Sequence, residues 1–342
     1  MSVKCVRTPS YNYDFDDVTG KFSRWGETEE NDPQFSPIGP ELIDIEVSTI
    51  CHGINGKPCP HCYKSNTGMG ENMSLETFKT IFHKLPKSVL QIAFGIGDLT
   101  ANPELLEMFW YCRDHGVVPN VTINGWGLTD EWAFKLAELA EVCGAVAVSR
   151  YDDKNVCYSA VEKLVNAGLE QVNIHQLVAE ETYKNCIETV RDIETDPRLK
   201  DLNAIVFLSL KKKGRGEGYT QMSQEKFDTL VGYCLDNWIR FGFDSCSSGK
   251  FLDFLDRHPK YDIVKYQIKQ NIEPCESTLF SMYIDVKGRF WPCSFCEGFT
   301  PLGGRYVATS KDFLSDIWYG AAFKSFRSLL VKNCRSCPIY EV

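Results

Sequence analysis

Three cysteines crowd one short loop, Cys51-His-Gly-Ile-Asn-Gly-Lys-Pro-Cys59-Pro-His-Cys62-Tyr63. Thiolates are soft ligands that suit iron-sulfur clusters, zinc and copper(I), and a loop containing Gly53, Gly56 and Pro58 can wrap a compact centre. Held by only three protein ligands, a four-iron cluster keeps one iron open. A structural zinc completed by His52 or His61 is the competing chemistry, and unligated core thiols are a third reading. Just upstream, Leu42-Ile-Asp-Ile-Glu-Val-Ser48 alternates apolar and polar residues as a strand does. The cysteines therefore fall at the C-terminal mouth of a strand, where parallel α/β folds do their chemistry.

The elements that must position this loop follow in regular order. Ser74 is placed to cap a helix through Leu75, Phe78, Ile81, Phe82 and Leu85, closed by Pro86. Strands are expected over Val89 to Phe94, Pro119 to Ile123, Ala145 to Ser149, Val172 to Leu177 and Ala204 to Leu210. Between them lie helical patterns, one from Thr129 through Trp132, Leu136 and Leu139 to Gly144. Six strand-helix units of about 25 to 35 residues predict an α/β fold, a partial (β/α)6 TIM-like barrel. A seventh strand at Phe241 to Asp244 would follow a helix capped by Ser223. Residues 1–40 read as an arm or hairpin turning at Thr19-Gly20, which either caps one end of the barrel or forms a substrate flap. Residues 41–250 read as the barrel and 251–342 as a small C-terminal extension.

Composition bounds the partners. The 342 residues carry a formal charge of −9, which disfavours the Lys- and Arg-rich contacts of extended nucleic-acid binding. No signal peptide or membrane-length apolar run is read, and the expected location is cytoplasmic, where thiols stay reduced. Of 15 cysteines, Cys5, Cys112, Cys143, Cys157, Cys186, Cys234 and Cys246 are scattered and read as small buried hydrophobes. The rest fall in two groups.

The second strand ends in Phe94-Gly95-Ile96-Gly97-Asp98, with glycines that let backbone approach a ligand and a carboxylate that can receive an ammonium. With the cysteine loop one unit upstream, the chain resembles the radical S-adenosyl-L-methionine (SAM) enzymes. It departs from that family's usual motifs in a seven-residue first spacer and in Gly-Ile-Gly-Asp for Gly-Gly-Glu. The resemblance covers roughly residues 40 to 250. It implies that Cys51, Cys59 and Cys62 hold a 4Fe-4S cluster whose open iron chelates SAM, and that reductive cleavage yields a deoxyadenosyl radical. It further implies that Gly95, Gly97 and Asp98 clasp the SAM amino group, with Ser149 and Arg150 at its ribose or carboxylate. Tyr63, Asn124 and His175 are further cofactor-side candidates. Lys211 to Lys213 and Arg215 read as a solvated basic loop.

The second cysteine group is Cys275, Cys293, Cys296, Cys334 and Cys337, with a β-hairpin over residues 282–291 turning at Gly288. Paired Cys-x-x-Cys also suits zinc. The Cys-Gly-Cys spacing resembles the SPASM or shorter twitch extension of radical SAM enzymes, which implies one auxiliary 4Fe-4S cluster on Cys275, Cys293, Cys334 and Cys337, leaving Cys296 spare. Such extensions imply a peptide or protein substrate, oxidised or crosslinked at a side chain, and an electron donor such as flavodoxin or ferredoxin. Sulfatase maturation fits less well, since Ser294 stands where those enzymes carry an Asp. A nucleoside or small metabolite is the alternative substrate. A zinc-stabilised barrel or an iron-sulfur electron carrier is the non-enzyme alternative.

Overall fold

The computed structural model describes residues 3–18, 20–138, 144–269 and 271–340. Thr19, Leu139 and Cys143, named in the expectations above, lie outside them. A three-stranded antiparallel sheet comes first: β1 (Val3–Val6), β2 (Asn12–Asp16) and β3 (Phe22–Trp25). The alternating part follows as β4 (Leu42–Glu46), α1 (Leu75–Phe82), β5 (Gln91–Gly95), α2 (Leu105–Asp114), β6 (Val118–Ile123), α3 (Asp130–Glu138) and β7 (Val146–Ser149). It continues as α4 (Lys154–Asn166), β8 (Val172–Val178), α5 (Tyr183–Thr195), β9 (Ala204–Ser209), α6 (Gln224–Asp236) and β10 (Phe241–Phe243). Then come α7 (Ser248–Arg257), α8 (Asp262–Lys269), β11 (Ser281–Ile284), β12 (Phe290–Trp291) and α9 (Ala321–Lys332).

Strands β4 to β10 lie side by side in chain order and all parallel, as the repeated strand-helix pattern requires. Their side chains alternate between two environments. Ile43, Ile45, Ile92, Phe94, Val121, Val148, Ile174 and Phe207 join the fully buried core with helix residues such as Phe78, Leu105, Phe109 and Val161. Each such burial stabilises by about 1.5–3 kcal/mol. The opposite face carries Asp44, Glu46, Asn120, Thr122, Asn124, Ser149, Asn173 and His175. A lumen lined this way suits a polar ligand.

The caps follow the sequence in part. Ser74 Oγ accepts from the Thr77 N–H at 3.1 Å and starts α1. Ser223 stands at the start of α6 without bonding it, its own N–H donating to Glu180 at 2.6 Å. Cys112, Cys157, Cys186 and Cys234 are buried as expected, whereas Cys5 is exposed.

The expected hairpin is present, turning at Gly288 with φ +80. Its first strand does more than pair with β12: β11 lies parallel to β4, with Tyr283 opposite Asp44. The first barrel strand would otherwise present a row of unpaired N–H and C=O groups, and β11 covers that edge. Asp285 anchors the turn from a fully buried position, accepting from the Lys287 and Arg289 N–H groups and from Trp291 Nε1 at 2.9 Å.

The N-terminal sheet is a cap. Tyr11, Tyr13 and Phe15 pack on Leu90 and Val118 at the lower end of the barrel and on Leu279, Phe280, Phe326 and Leu330 of the C-terminal part. Its polar anchor is Arg24, a buried guanidinium 2.5 Å from Glu41, 2.9 Å from Glu273 and 3.0 Å from Glu276, stacked 3.5 Å over the Phe280 ring. Tyr11 Oη donates to Glu41 at 2.6 Å. The acidic run from Glu27 to Asp32 is exposed. Arg24→Ala leaves Glu41 buried without its cation and should cost about 3–5 kcal/mol, read as a lower denaturant midpoint. Surface Arg7→Ala, which breaks the exposed pair with Asp14, should cost under about 1 kcal/mol.

Candidate active site at the strand mouth

The loop leaving β4 is pinned before its cysteines are used for anything. The Cys51 N–H donates to the Thr67 carbonyl at 2.9 Å, and Gly53 and Gly56 take the left-handed φ values of +73 and +70. A side chain at Gly53 would run into the Lys57 carbonyl. Cys59 is buried, with Cys51 and Cys62 half-buried beside it. Burial pushes the Cys59 thiol up to about 12, opposed by the His61 backbone N–H, and the charges of Cys62 and Cys51 raise it further. Thiols this close favour a shared cation that takes their protons.

The exit of β5 packs directly against this loop. A Cβ on Gly97 would lie 2.6 Å from the Cys51 Cβ and closer still to the Ile50 carbonyl, so only glycine fits. The Asp98 N–H donates to the Ile50 carbonyl at 3.0 Å. Asp98 Oδ2 accepts from the His52 N–H at 2.8 Å and lies 2.7 Å from His52 Nδ1, while Oδ1 accepts from Asn124 Nδ2 at 3.1 Å. Asn124 Nδ2 also reaches the Gly97 carbonyl at 3.4 Å. Gly95, whose carbonyl accepts from the Val47 N–H at 2.8 Å, completes the contact. Candidates from three separate strand ends thus meet at Cys51. A carboxylate offers about four lone-pair directions, so Asp98 can hold the loop and still receive an ammonium.

The remaining candidates divide. Ser149 and His175 lie on the lumen face of β7 and β8, and burial holds the His175 imidazole down near 4, that is, neutral, against the pull of Asp244. Arg150 is turned the other way: alternation along β7 sends it into the helix layer, where Nη2 pairs with Glu188 at 2.6 Å and Nε and Nη1 are buried without partners. Its proposed contact with a ligand in the lumen is corrected accordingly. Tyr63 is half-buried against Phe295, ring centres 4.4 Å apart, and joins the loop to the C-terminal part.

The histidines of the loop make contacts of their own. His52 is engaged by Asp98. His61 stacks on Tyr151 at 5.7 Å and meets Tyr219 edge-on at 5.5 Å, its Nδ1 buried without a partner and its ring held neutral by burial, near 4. Among the described residues no three His, Cys, Asp or Glu side chains are already gathered around one point. A four-iron cluster spreads its thiolates over separate irons. The soft, all-thiol set, with one position open and glycine backbone against it, fits that group.

Five lumen-side residues escaped the sequence reading. Lys64 Nζ lies 3.0 Å from Glu46 and 2.8 Å from Tyr283 Oη and also pairs with Glu297, and Tyr283 Oη donates to Glu46 at 3.0 Å. The available signal was the inward register of Glu46. Tyr151 was also missed; it shares the inner side with Ser149, and burial, then the charges of the loop cysteines, hold its phenol protonated.

The second group assembles from chain segments far apart. Cys293 and Cys296 have sulfurs 3.5 Å apart on a turn held by the Cys296 N–H to the Cys293 carbonyl at 3.0 Å. Cys275 is buried close enough to feel both Cys293 and Cys337. Arg335 bonds Cys275 in both directions, each at 3.3 Å, and the Tyr340 N–H donates to Cys337 Sγ at 3.3 Å. Cys334 stands exposed at the rim, while Cys296, read as spare, is buried inside the group. Any of the five can serve, and Cys296 is better placed than Cys334.

Two outcomes follow. Gly97→Ala should displace Cys51 and lower the iron of the reconstituted protein by about half, as loss of one of two clusters, with the visible absorbance falling in step. Asp44, on the lumen face, is pushed up by burial, then by Glu276, from 3.8 to about 7. Between those values the unfolded chain is ionised and the folded chain protonated, so stability falls as pH rises from about 4 to 7. Asp44→Asn should melt a few degrees above the wild type at pH 8 and match it at pH 4.

Residues 275–338 match the model of the SPASM family, an iron-sulfur cluster-binding domain. The whole fold is similar to Streptococcus suis SuiB bound to precursor peptide SuiA, with TM-score 0.66, 15% identity, and 88% of this chain and 70% of that chain covered. SuiB bound to S-adenosylmethionine gives TM-score 0.62 at 15% identity, covering 85% and 68%. Native anSMEcpe with bound AdoMet and Cp18Cys peptide gives TM-score 0.58 at 15% identity, covering 86% of each chain. No curated protein matches the sequence. At these identities the likeness is one of fold. Residues 275–338 thus match an iron-sulfur cluster-binding domain, and the fold that carries them is similar to that of SuiB and anSMEcpe.

Proposed function

We propose that this protein is a radical SAM enzyme that modifies a peptide or protein side chain by hydrogen abstraction. The observation that carries the reading is the meeting of Gly97, Asp98 and Asn124 with Cys51 at the mouth of a polar lumen. Cys51, Cys59 and Cys62 would hold the first cluster, and Cys275, Cys293, Cys337 and one of Cys296 or Cys334 the auxiliary one. With SAM bound, the first cluster supplies reductive cleavage of the sulfonium to a deoxyadenosyl radical. This chain's own residues bind and exclude. Asp98 and the Gly95–Gly97 backbone receive the ammonium of SAM, Ser149 offers a hydroxyl from β7, and neutral His175 offers a hydrogen bond without a charge.

A peptide substrate is supported by the two neighbours whose structures contain one, SuiA with SuiB and Cp18Cys with anSMEcpe. It is also supported by an entrance of suitable size. The barrel is open between β10 and the segment leading to β11, and a cleft of about 570 Å³ lies there, lined by Phe241, Phe243 and Asp244 on one side and Ile272, Glu273 and Glu276 on the other. An extended segment enters such a slot more readily than a closed barrel. Oxidation or crosslinking removes a proton and an electron as well as a hydrogen atom; the auxiliary cluster held by the second cysteine group would take the electron, and Asp44, near neutrality, is a lumen group able to accept the proton. The partner required is a one-electron donor of flavodoxin or ferredoxin type. No helix among the described residues is long and apolar enough to cross a membrane.

The test is anaerobic reconstitution, then dithionite and SAM with deoxyadenosine followed. Wild type should bind about eight irons, as two four-iron clusters do, and release deoxyadenosine. The Cys51→Ala, Cys59→Ala, Cys62→Ala triple variant should keep about half the iron and release none. Zinc in place of iron, or deoxyadenosine from the triple variant, rejects the reading.

A further inference from the structure

The run Lys211-Lys-Lys-Gly-Arg215-Gly reads in the sequence as a solvated basic loop, and in the fold it is packed between the two cysteine segments. Arg215 Nε donates to the Cys59 carbonyl at 2.7 Å, Nη1 and Nη2 to the Asn66 carbonyl at 3.2 Å, and its backbone N–H to the Cys62 carbonyl at 3.0 Å. One residue thus closes the loop from Cys59 to Asn66. Gly214, at φ +58, permits this: a Cβ there would lie 2.5 Å from the Tyr63 carbonyl and 2.8 Å from that of Cys62. Two residues back, Lys213 Nζ donates to the carbonyls of Phe295 and Glu297 at 3.0 Å and of Ser294 at 3.3 Å, the turn that carries Cys293 and Cys296. An ammonium has three donors, and all three are spent on that turn. Lys211, buried and paired with Asp244, lies 4.8 Å from the Phe295 ring centre.

We propose that Lys213 and Arg215 are positioning residues that tie the two cysteine segments into one unit and place a fixed positive charge beside each. The proposal rests on the cluster assignments above. Two consequences follow. The strap fixes the spacing between the two segments, because its grips on them are two residues apart on a chain that glycine folds tightly. Its cations also favour the more negative, reduced form of whatever cluster each segment holds, since charge and hydrogen bonds around a cluster set its potential.

The test uses the full-length reconstituted protein and three variants, Lys213→Met, Arg215→Gln and the charge-conserving Arg215→Lys. Amide hydrogen exchange is followed over residues 59–66 and 293–297, and midpoint potentials come from redox titration monitored by electron paramagnetic resonance. Lys213→Met and Arg215→Gln should each speed exchange at least about tenfold in both segments, a coupling that a local packing role would not produce. They should also lower the potential of the adjacent cluster. Arg215→Lys should loosen both segments as well, while leaving the potential near the wild-type value. Exchange confined to the segment that lost its contact overturns the strap, and unchanged potentials in the two charge-removing variants overturn the charge role. Should the protein hold no clusters, the function proposed above fails on its own, and the exchange arm still decides the strap.

Discussion

There is no room for a side chain at position 97. The β5 exit lies so close to Ile50 and Cys51 that its backbone forms part of the wall of the cysteine loop. Other features of the mouth depend on that approach. It brings the Asp98 carboxylate to the His52 N–H, places Asn124 from β6 against the same carboxylate, and sets Cys51 against the β5 backbone. A bulkier residue would separate two strand ends whose chemistry requires contact.

Elsewhere the molecule keeps several charges out of water, and three of the cations are paired. Arg24 is shared by Glu41, Glu273 and Glu276 where the N-terminal sheet meets the C-terminal part. Lys64 is shared by Glu46 and Glu297 where the loop meets the hairpin. Lys211 pairs with Asp244. Buried pairs contribute little net stability, but breaking one is costly, so they discriminate between correct and incorrect docking. The first two sit where the barrel meets another segment, and the third joins the exits of β9 and β10, so together they specify how the pieces assemble around a polar lumen.

The second cysteine group is therefore not on a separate appendage. β11 continues the barrel sheet, Tyr63 stacks on Phe295, and the segment after β9 grips both cysteine turns. The cleft at the open side of the barrel is lined by residues of both parts.

The sequence by itself determined the barrel. Strand and helix periods, Ser74 as a cap and Gly288 as a turn are local properties, since period-2 and period-3.6 patterns and positive φ are written residue by residue. It also determined that Cys51, Cys59, Cys62, Gly97 and Asp98 would share a mouth, because consecutive parallel strands put their C-terminal ends side by side. What only the tertiary structure decided are matters of direction and distance. A one-residue step along β7 places Ser149 in the lumen and Arg150 among the helices. Whether a run of lysines is solvated or clamped depends on which carbonyls lie across the gap, and those of residues 294 to 297 are about eighty positions away. Cys296 is buried in its group while Cys334 is exposed for the same reason: spacing along a chain limits which thiols can meet, and packing between distant segments selects those that do.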